Sequence, residues 1–374
     1  MKFFITVFLI YTLVNGYIFY KGWKSLPALP MAKTAYSIVY GIFYSSFIFA
    51  MLGRNLLPLG IQKALYLPGT VWLGAMLYLT LWFVMTDGLY LLCRLIPSVK
   101  KRTRSLRFFR IQACTGYLLV FLVLANGYYR FVHPAVAEQT IDIHKSGGKY
   151  RNLKIVAFSD IHLGVAIDKK RLQSYIQLVN RQQPDLILIG GDVVDNNVLP
   201  LNLENMQEEL NRLQAPLGVY MCLGNHEYLS GITPSLEFLK KTQIRVLIDE
   251  AIAIDNSFWL IGRDDTHGNP RRQPLKALLA QADAAQPLLL IDHEPWVIRE
   301  AVENHIDWQF SGHTHYGQMW PLSYVVNRVF TIGYGYEKFG DTHIYVSSGL
   351  GLWGPPFRIG TQSEIVVFNL RFEE

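Results

Sequence analysis

The sequence predicts a layered α/β domain preceded by an all-α bundle of four transmembrane helices, and three observations lead there. Of 374 residues, 51% are hydrophobic and only 17% charged, a low polar complement for one soluble globular chain. Four long apolar segments lie before residue 130. Beyond residue 153 the pattern changes to short apolar runs of strand length, separated by helical or turn-rich stretches.

The apolar segments are Phe3–Tyr20, Ala35–Gly53, Leu67–Ile96 and Ile111–Tyr129, each long enough to cross a hydrocarbon core. The first lacks the basic cluster and small-residue cleavage site of a signal peptide. Residues 1–137 hold 14 Lys and Arg against one acid, Asp87, while the remainder holds 21 bases against 28 acids. The formal charge of +6 therefore belongs to the apolar half, and the acidic half offers no footprint for nucleic acid.

Lys21, Lys24 and Lys33 follow the first segment, Arg54 and Lys63 the second, and Lys100, Lys101, Arg102, Arg104, Arg107 and Arg110 precede the fourth. The six-base loop is expected in the cytoplasm, which puts both termini and the acidic half outside it. These bases also suit anionic lipid head groups. Asp87, the one acid within a span, reads either as a relay or substrate contact or as a polar contact inside the bundle.

The expected division is a transmembrane region over 1–130, a linker over 131–149 containing Pro134, Gly147 and Gly148, and a single domain over 150–374. The clearest strand-length runs are 153–160, 185–192, 218–225, 257–264, 287–294, 306–313, 343–350 and 364–372. Amphipathic helices fit Lys169–Arg181, Leu203–Leu213, Thr233–Lys241 and Leu275–Ala284. Alternation of strand and helix over about 225 residues is the mark of one layered α/β domain. The three cysteines, Cys93, Cys114 and Cys222, form no disulfide framework or CxxC site, so a metal must use His, Asp or Asn.

Several apolar runs end in metal-competent or turn residues: Asp160 and His162, Gly191 and Asp192, Gly224 with Asn225, His226 and Glu227, His293, and Gly312 with His313, Thr314 and His315. A lone Asp-x-His or Gly-Asp after a strand is usually a turn. Five such ends in order, holding five of the ten histidines, point to one crevice at the carboxyl ends of the strands. Mixed oxygen and nitrogen donors suit Mn, Fe, Zn or Co better than Mg or Ca, and there are enough for two divalent ions sharing a carboxylate. Two such ions can bind a phosphate diester, acidify a bridging water and stabilise in-line displacement.

The order DxH (160–162), GD (191–192), GNHE (224–227), His293 and GHTH (312–315) resembles the calcineurin-like metallophosphoesterases, over residues 150–374. The resemblance extends to membrane-anchored members, including the UDP-2,3-diacylglucosamine pyrophosphatases. It implies a four-layer α/β/β/α sandwich and a metal-dependent hydrolase of phosphoric esters. Asp160, His162, Asp192 and His315 would hold one ion, with Asp192 bridging and Asn225, His293 and His313 completing the second. His226 would be the general acid, its imidazole oriented by Asp195. Relatives often read GHTHGGQ and carry an Arg near position 348, where this chain has Tyr316 and Ser348.

Arg358 and Arg263 are candidate phosphate clamps, and Tyr316, Trp320 and Trp353 candidate walls of a lipid or nucleoside pocket. Four spans near the domain favour a lipid or nucleotide-linked lipid as substrate. One alternative is a cytoplasmic-facing pyrophosphatase of a lipid A precursor, against which the base distribution argues. Another is a non-catalytic scaffold or receptor, but such a protein is expected to have lost ligands, and none is missing here.

Overall fold

The computed structural model describes residues 2–54, 56–93 and 105–373. Of the six-base loop, Lys100, Lys101, Arg102 and Arg104 lie outside the described residues. Four helices come first: α1 (Lys2–Ser25), α2 (Pro30–Gly53), α3 (Leu59–Cys93) and α4 (Leu106–Val132). All four are long and apolar enough to cross a membrane. The helices run past the apolar segments, so Lys21 and Lys24 belong to α1 and Lys33 to α2 rather than to loops.

Lys21 is buried and forms an ion pair with Asp87 of α3. Asp87 also accepts from Tyr17 of α1 (2.7 Å) and Gln112 of α4 (3.1 Å), so three helices meet on one carboxylate. A second junction forms at Asn15, whose side-chain oxygen accepts from Trp72 of α3 (2.8 Å) and whose carbonyl accepts from Tyr40 of α2 (2.7 Å). Asp87 is thus engaged as a polar contact within the bundle.

The rest of the chain builds two six-stranded mixed sheets. The first has the order β1-β12-β2-β3-β4-β5: β1 (Ala135–Ser146), β2 (Asn152–Phe158), β3 (Leu186–Ile189), β4 (Val219–Cys222), β5 (Arg245–Leu247) and β12 (Glu364–Glu373). The second has the order β10-β11-β9-β8-β7-β6: β6 (Glu250–Ile254), β7 (Phe258–Gly262), β8 (Leu288–Ile291), β9 (Trp308–Ser311), β10 (Gly335–Phe339) and β11 (Thr342–Val346). Pairing is parallel from β2 through β5 and from β7 through β9 to β11.

The period-2 alternation of strands separates the layers. Ile155 and Leu188 of one sheet meet Leu289, Trp308 and Phe310 of the other in the inter-sheet core, where the Trp308 ring lies edge-on to Phe368 at 4.9 Å. Val156, Phe158, Ile187 and Ile189 face outward onto Leu172 and Ile176 of α5 (Lys169–Asn180), which Asp168 caps by accepting from the Arg171 amide at 2.9 Å. On the opposite outer face Leu288 and Leu290 pack against Leu275, Leu278 and Ala301 of short helices. This is the four-layer α/β/β/α sandwich.

The linker expected over 131–149 is instead mostly β1, an edge strand parallel to the last strand of the chain. Its inward positions include buried Ile141 and Ile143, while Glu138, Asp142 and His144 face out. That polar half, between Pro134 and the Gly147–Gly148 pair, makes the segment read as a tether. The helix expected over Leu203–Leu213 is broken into Leu199–Leu203 and Met206–Leu210 at Asn205, which takes a left-handed φ of 51°.

The Lys21–Asp87 pair has a direct test. Removing Asp87 leaves the buried Lys21 charge uncompensated, which is destabilising. Asp87→Ala is expected to lower the melting temperature of the protein in detergent, and Lys21→Met/Asp87→Leu to recover most of the loss. Equal melting of Asp87→Ala and the parent chain would contradict the structural role.

Candidate metal centre

Parallel strands bring their carboxyl ends to one edge, and the polar motifs follow those ends. Asp160 and His162 come after β2, Asp192 after β3, His293 after β8, and His313 and His315 after β9. Asn225 and His226 open a short helix, α6 (Asn225–Leu229), after β4. Both sheets therefore contribute to one site, and the seven residues expected as ligands are brought together.

They fall into two overlapping sets. His162 Nε2 lies 3.0 Å from His315 Nε2, and His315 Nε2 is 3.3 Å from Asp160 Oδ1. In the other set Asn225 Oδ1 is 3.2 Å from His293 Nε2 and 3.0 Å from His313 Nδ1. Asp192 stands between them, its Oδ2 3.2 Å from His293 Nε2 and 3.7 Å from His162 Nε2. Donors bound to one ion at about 2.0–2.2 Å lie roughly 3 Å apart, which is the spacing seen here. Two imidazole nitrogens facing each other at 3.0 Å with a carboxylate beside them suit a shared cation. The donor set fits divalent metal.

The electrostatics divide the candidate ligands. Burial works against ionisation of Asp192, yet the charges of His293, His226 and His162 hold it well below the usual carboxylate range. Burial, aided by the Arg358 charge, pushes His315 well below its ordinary value, and burial lowers His313 as well. A ligating imidazole must be neutral, and these two shifts favour that form, whereas at His162 and His293 burial is outweighed by the neighbouring carboxylates, which raise both. His293 Nδ1 lies 2.6 Å from the Gly190 carbonyl, which accepts its proton and turns Nε2 inward.

The backbone is strained where the ligands sit. Asp160, His162, Asp192, His313 and His315 take left-handed φ values of 55°, 53°, 55°, 69° and 47°. Such conformations are uncommon outside glycine and cluster at functional sites. Close approach demands true glycine nearby: a Cβ at Gly224 would collide with Asp192 Oδ1, and one at Gly312 with Asp160 Oδ2 and Ser159 Oγ.

His226 lies beside this centre, partly exposed to the cavity that also holds Asp192, Asn225, His313 and His315. Its Nδ1 is 2.5 Å from the main-chain carbonyl of Asp195 and 3.6 Å from that residue's Oδ1. The carboxylate expected to orient the ring is nearer His162 Nδ1, at 3.4 Å, and the backbone of Asp195 does the orienting.

Both candidate clamps are corrected by their surroundings. Arg358 is 0% exposed and donates to the carbonyls of His315, Ser348, Gly349 and Gly351, tying the loops together from beneath. Burial lowers its pKa to about 10. Arg263 is buried and donates to Glu300 (2.9 Å) and to the Gln273 carbonyl (3.0 Å). Tyr316 packs its ring on Tyr334 at 5.2 Å and does not line the cavity, whereas Trp353 does.

Sequence reasoning placed Glu227 among the strand-end residues and gave it no role of its own. Its buried carboxylate accepts from four main-chain amides, those of Asp192 (3.0 Å), Val193 (2.8 Å), Val194 (3.0 Å) and Gly224 (2.8 Å), locking the Asp192 loop to the start of α6. Burial and the Asp192 charge push it up to about 7, opposed by those amides. The available signal was its place three residues after Gly224, the capping-box position. Also missed was the apolar wall from Leu322, Val325 and Val326 of α7 (Leu322–Val329), whose i, i+3, i+4 spacing is visible in the sequence.

Four stranded amides make Glu227 replaceable only at high cost, since each buried unsatisfied group costs about 1–3 kcal/mol. Glu227→Ala is expected to melt well below the parent protein and to bind metal weakly, with Glu227→Gln between the two. Parent-like melting and metal content in Glu227→Ala would overturn its assignment as the loop's support.

Residues 153–317 match the calcineurin-like phosphoesterase family. An uncharacterized metallophosphoesterase of Campylobacter jejuni is 30% identical across 98% of this chain and 97% of its own length. One from Helicobacter pylori is 34% identical across 74% of this chain and 73% of its own. A bovine protein described as a transmembrane protein with metallophosphoesterase domain is 31% identical across 64% of this chain and 57% of its own. With a centre of this geometry and relatives of this extent, the chain belongs to the calcineurin-like metallophosphoesterases, a family of hydrolases, and it carries four helices long and apolar enough to cross a membrane.

Proposed function

We propose that the protein is a membrane-anchored phosphoesterase cleaving a phosphodiester or pyrophosphate bond of a lipid or nucleotide-linked lipid. Asp160, His162, Asp192 and His315 would hold one divalent ion, and Asp192, Asn225, His293 and His313 a second. The observation that carries this reading is the Asp192 carboxylate, with one oxygen 3.2 Å from a histidine of one set and 3.7 Å from a histidine of the other. Bound there, two ions would neutralise the phosphate and activate a water for in-line attack.

The side chains supply the rest. The Asp195 carbonyl accepts the Nδ1 proton of His226 and leaves Nε2 available to carry a second proton. That nitrogen can protonate the oxygen that departs, a contribution of typically 10² to 10⁴-fold. The four membrane-length helices support a substrate at the bilayer. The six bases between Lys100 and Arg110 support a cytoplasmic loop and a catalytic domain on the opposite side.

A leaving group that is already a stable anion gains little from a proton, and an alkoxide gains much. His226→Ala is therefore expected to retain its metals and lose little on a nitrophenyl ester, while losing about 10² or more on an alkyl diester. Equal losses on both, with metal content unchanged, would remove the general-acid role. For sidedness, a reporter active only outside the cytoplasm is expected to be active after Glu374. Silence there, with activity from a reporter inserted between α3 and α4, would reverse the topology and favour the cytoplasmic pyrophosphatase.

A further inference from the structure

The cavity over the site holds about 400 Å³, and its two sides differ in chemistry. One side is the candidate metal centre. The other is Leu322, Val325 and Val326 of α7 with Phe330 and Trp353. No residue of α7 is buried, and Leu322 and Val325 are 41% and 58% exposed although both are apolar. Phe330 joins the two sides, its ring 6.0 Å from that of His313 and 4.3 Å from that of Trp296. An uncovered apolar face that begins at a candidate ligand and continues outward is a binding surface rather than scattered surface apolarity.

Charge narrows the occupant. Among the described residues lining the cavity there is no Lys or Arg, and the buried Arg263 and Arg358 are committed to carbonyls and to Glu300. Recognition of a multiply charged nucleotide or diphosphate ordinarily uses such cations. A singly charged phosphodiester needs none beyond the centre itself. Hydrocarbon attached to it would meet apolar side chains at once.

Resting on the phosphoesterase reading above, we propose that the substrate is a singly charged phosphodiester whose hydrocarbon chain lies along α7, on Leu322, Val325, Val326 and Trp353. The wall selects by chain length and the centre cuts the diester.

The test uses butyl, hexyl and octyl 4-nitrophenyl phosphate, with bis(4-nitrophenyl) phosphate as a diester lacking an alkyl chain. The full chain is reconstituted in nanodiscs. A methylene buried against the wall raises kcat/KM by about two- to fourfold, so a rise of roughly tenfold or more is expected from butyl to octyl. In Leu322→Asn/Val325→Asn, both exposed positions, the rise is expected to flatten to about threefold or less. Val329→Asn, on the same helix but outside the cavity lining, is expected to keep the parent slope.

Equal slopes in the parent and the double variant would overturn the proposal, because partition into the lipid disc alone would then explain the trend. Flattening by Val329→Asn to the same degree would also overturn it, since α7 would be touching bilayer rather than substrate. A nucleotide-linked diphosphate cleaved more than tenfold better than the octyl diester would refute the charge argument. Failure to cleave bis(4-nitrophenyl) phosphate with any divalent metal would instead bring down the phosphoesterase reading, and this proposal with it.

Discussion

Everything in the α/β domain is subordinate to one electrostatic constraint: two buried carboxylates, Asp160 and Asp192, must lie within a few ångströms of four imidazoles. Placing so many ionisable groups out of water is costly unless every charge is paired. The chain answers with backbone. The His313 amide donates to Asp160 at 3.1 Å and the His226 amide to Asp192 at 2.8 Å. To aim these groups inward, five of the seven candidate ligands adopt left-handed backbone. Strain of this kind persists only where the surroundings over-determine it.

Those surroundings lie behind the candidate ligands. Glu227 gathers the amides around Asp192 from one side, and Arg358 gathers the carbonyls of the loops around His315 from the other. The two are complementary in role: a buried carboxyl group holding N–H groups and a buried guanidinium holding C=O groups. Behind them the parallel strands of both sheets end at the same edge, and the inter-sheet core around Trp308 and Phe368 keeps those ends in register. Function on this fold is thus a property of strand ends.

Much of this was legible in the sequence for physical reasons. Long apolar helices and fully buried parallel strands leave uninterrupted hydrophobic runs, so α1–α4 and eight of the strands, β2, β3, β4, β7, β8, β9, β11 and β12, could be read directly. The candidate ligands were readable because motifs that singly are usually turns recur in order at five strand ends. Hidden from the sequence were β1, whose outer face is polar, and the short edge elements β5, β6 and β10. The role of an arginine was hidden too. Arg263 and Arg358 look like phosphate clamps until burial and their carbonyl partners are known, and Asp195 looks like an orienting carboxylate until its main chain is seen in that place.

The account stands on Asp192 serving both ligand sets, and metal stoichiometry measures that most directly. Elemental analysis of the parent protein and Asp192→Asn, each loaded with Mn and passed through a desalting column, should find two ions per parent chain. Loss of a bridging carboxylate weakens both positions, so the variant is expected to retain fewer than one and to turn over at least about a hundredfold more slowly. Two ions retained in Asp192→Asn with near-parent turnover would contradict the shared-carboxylate centre.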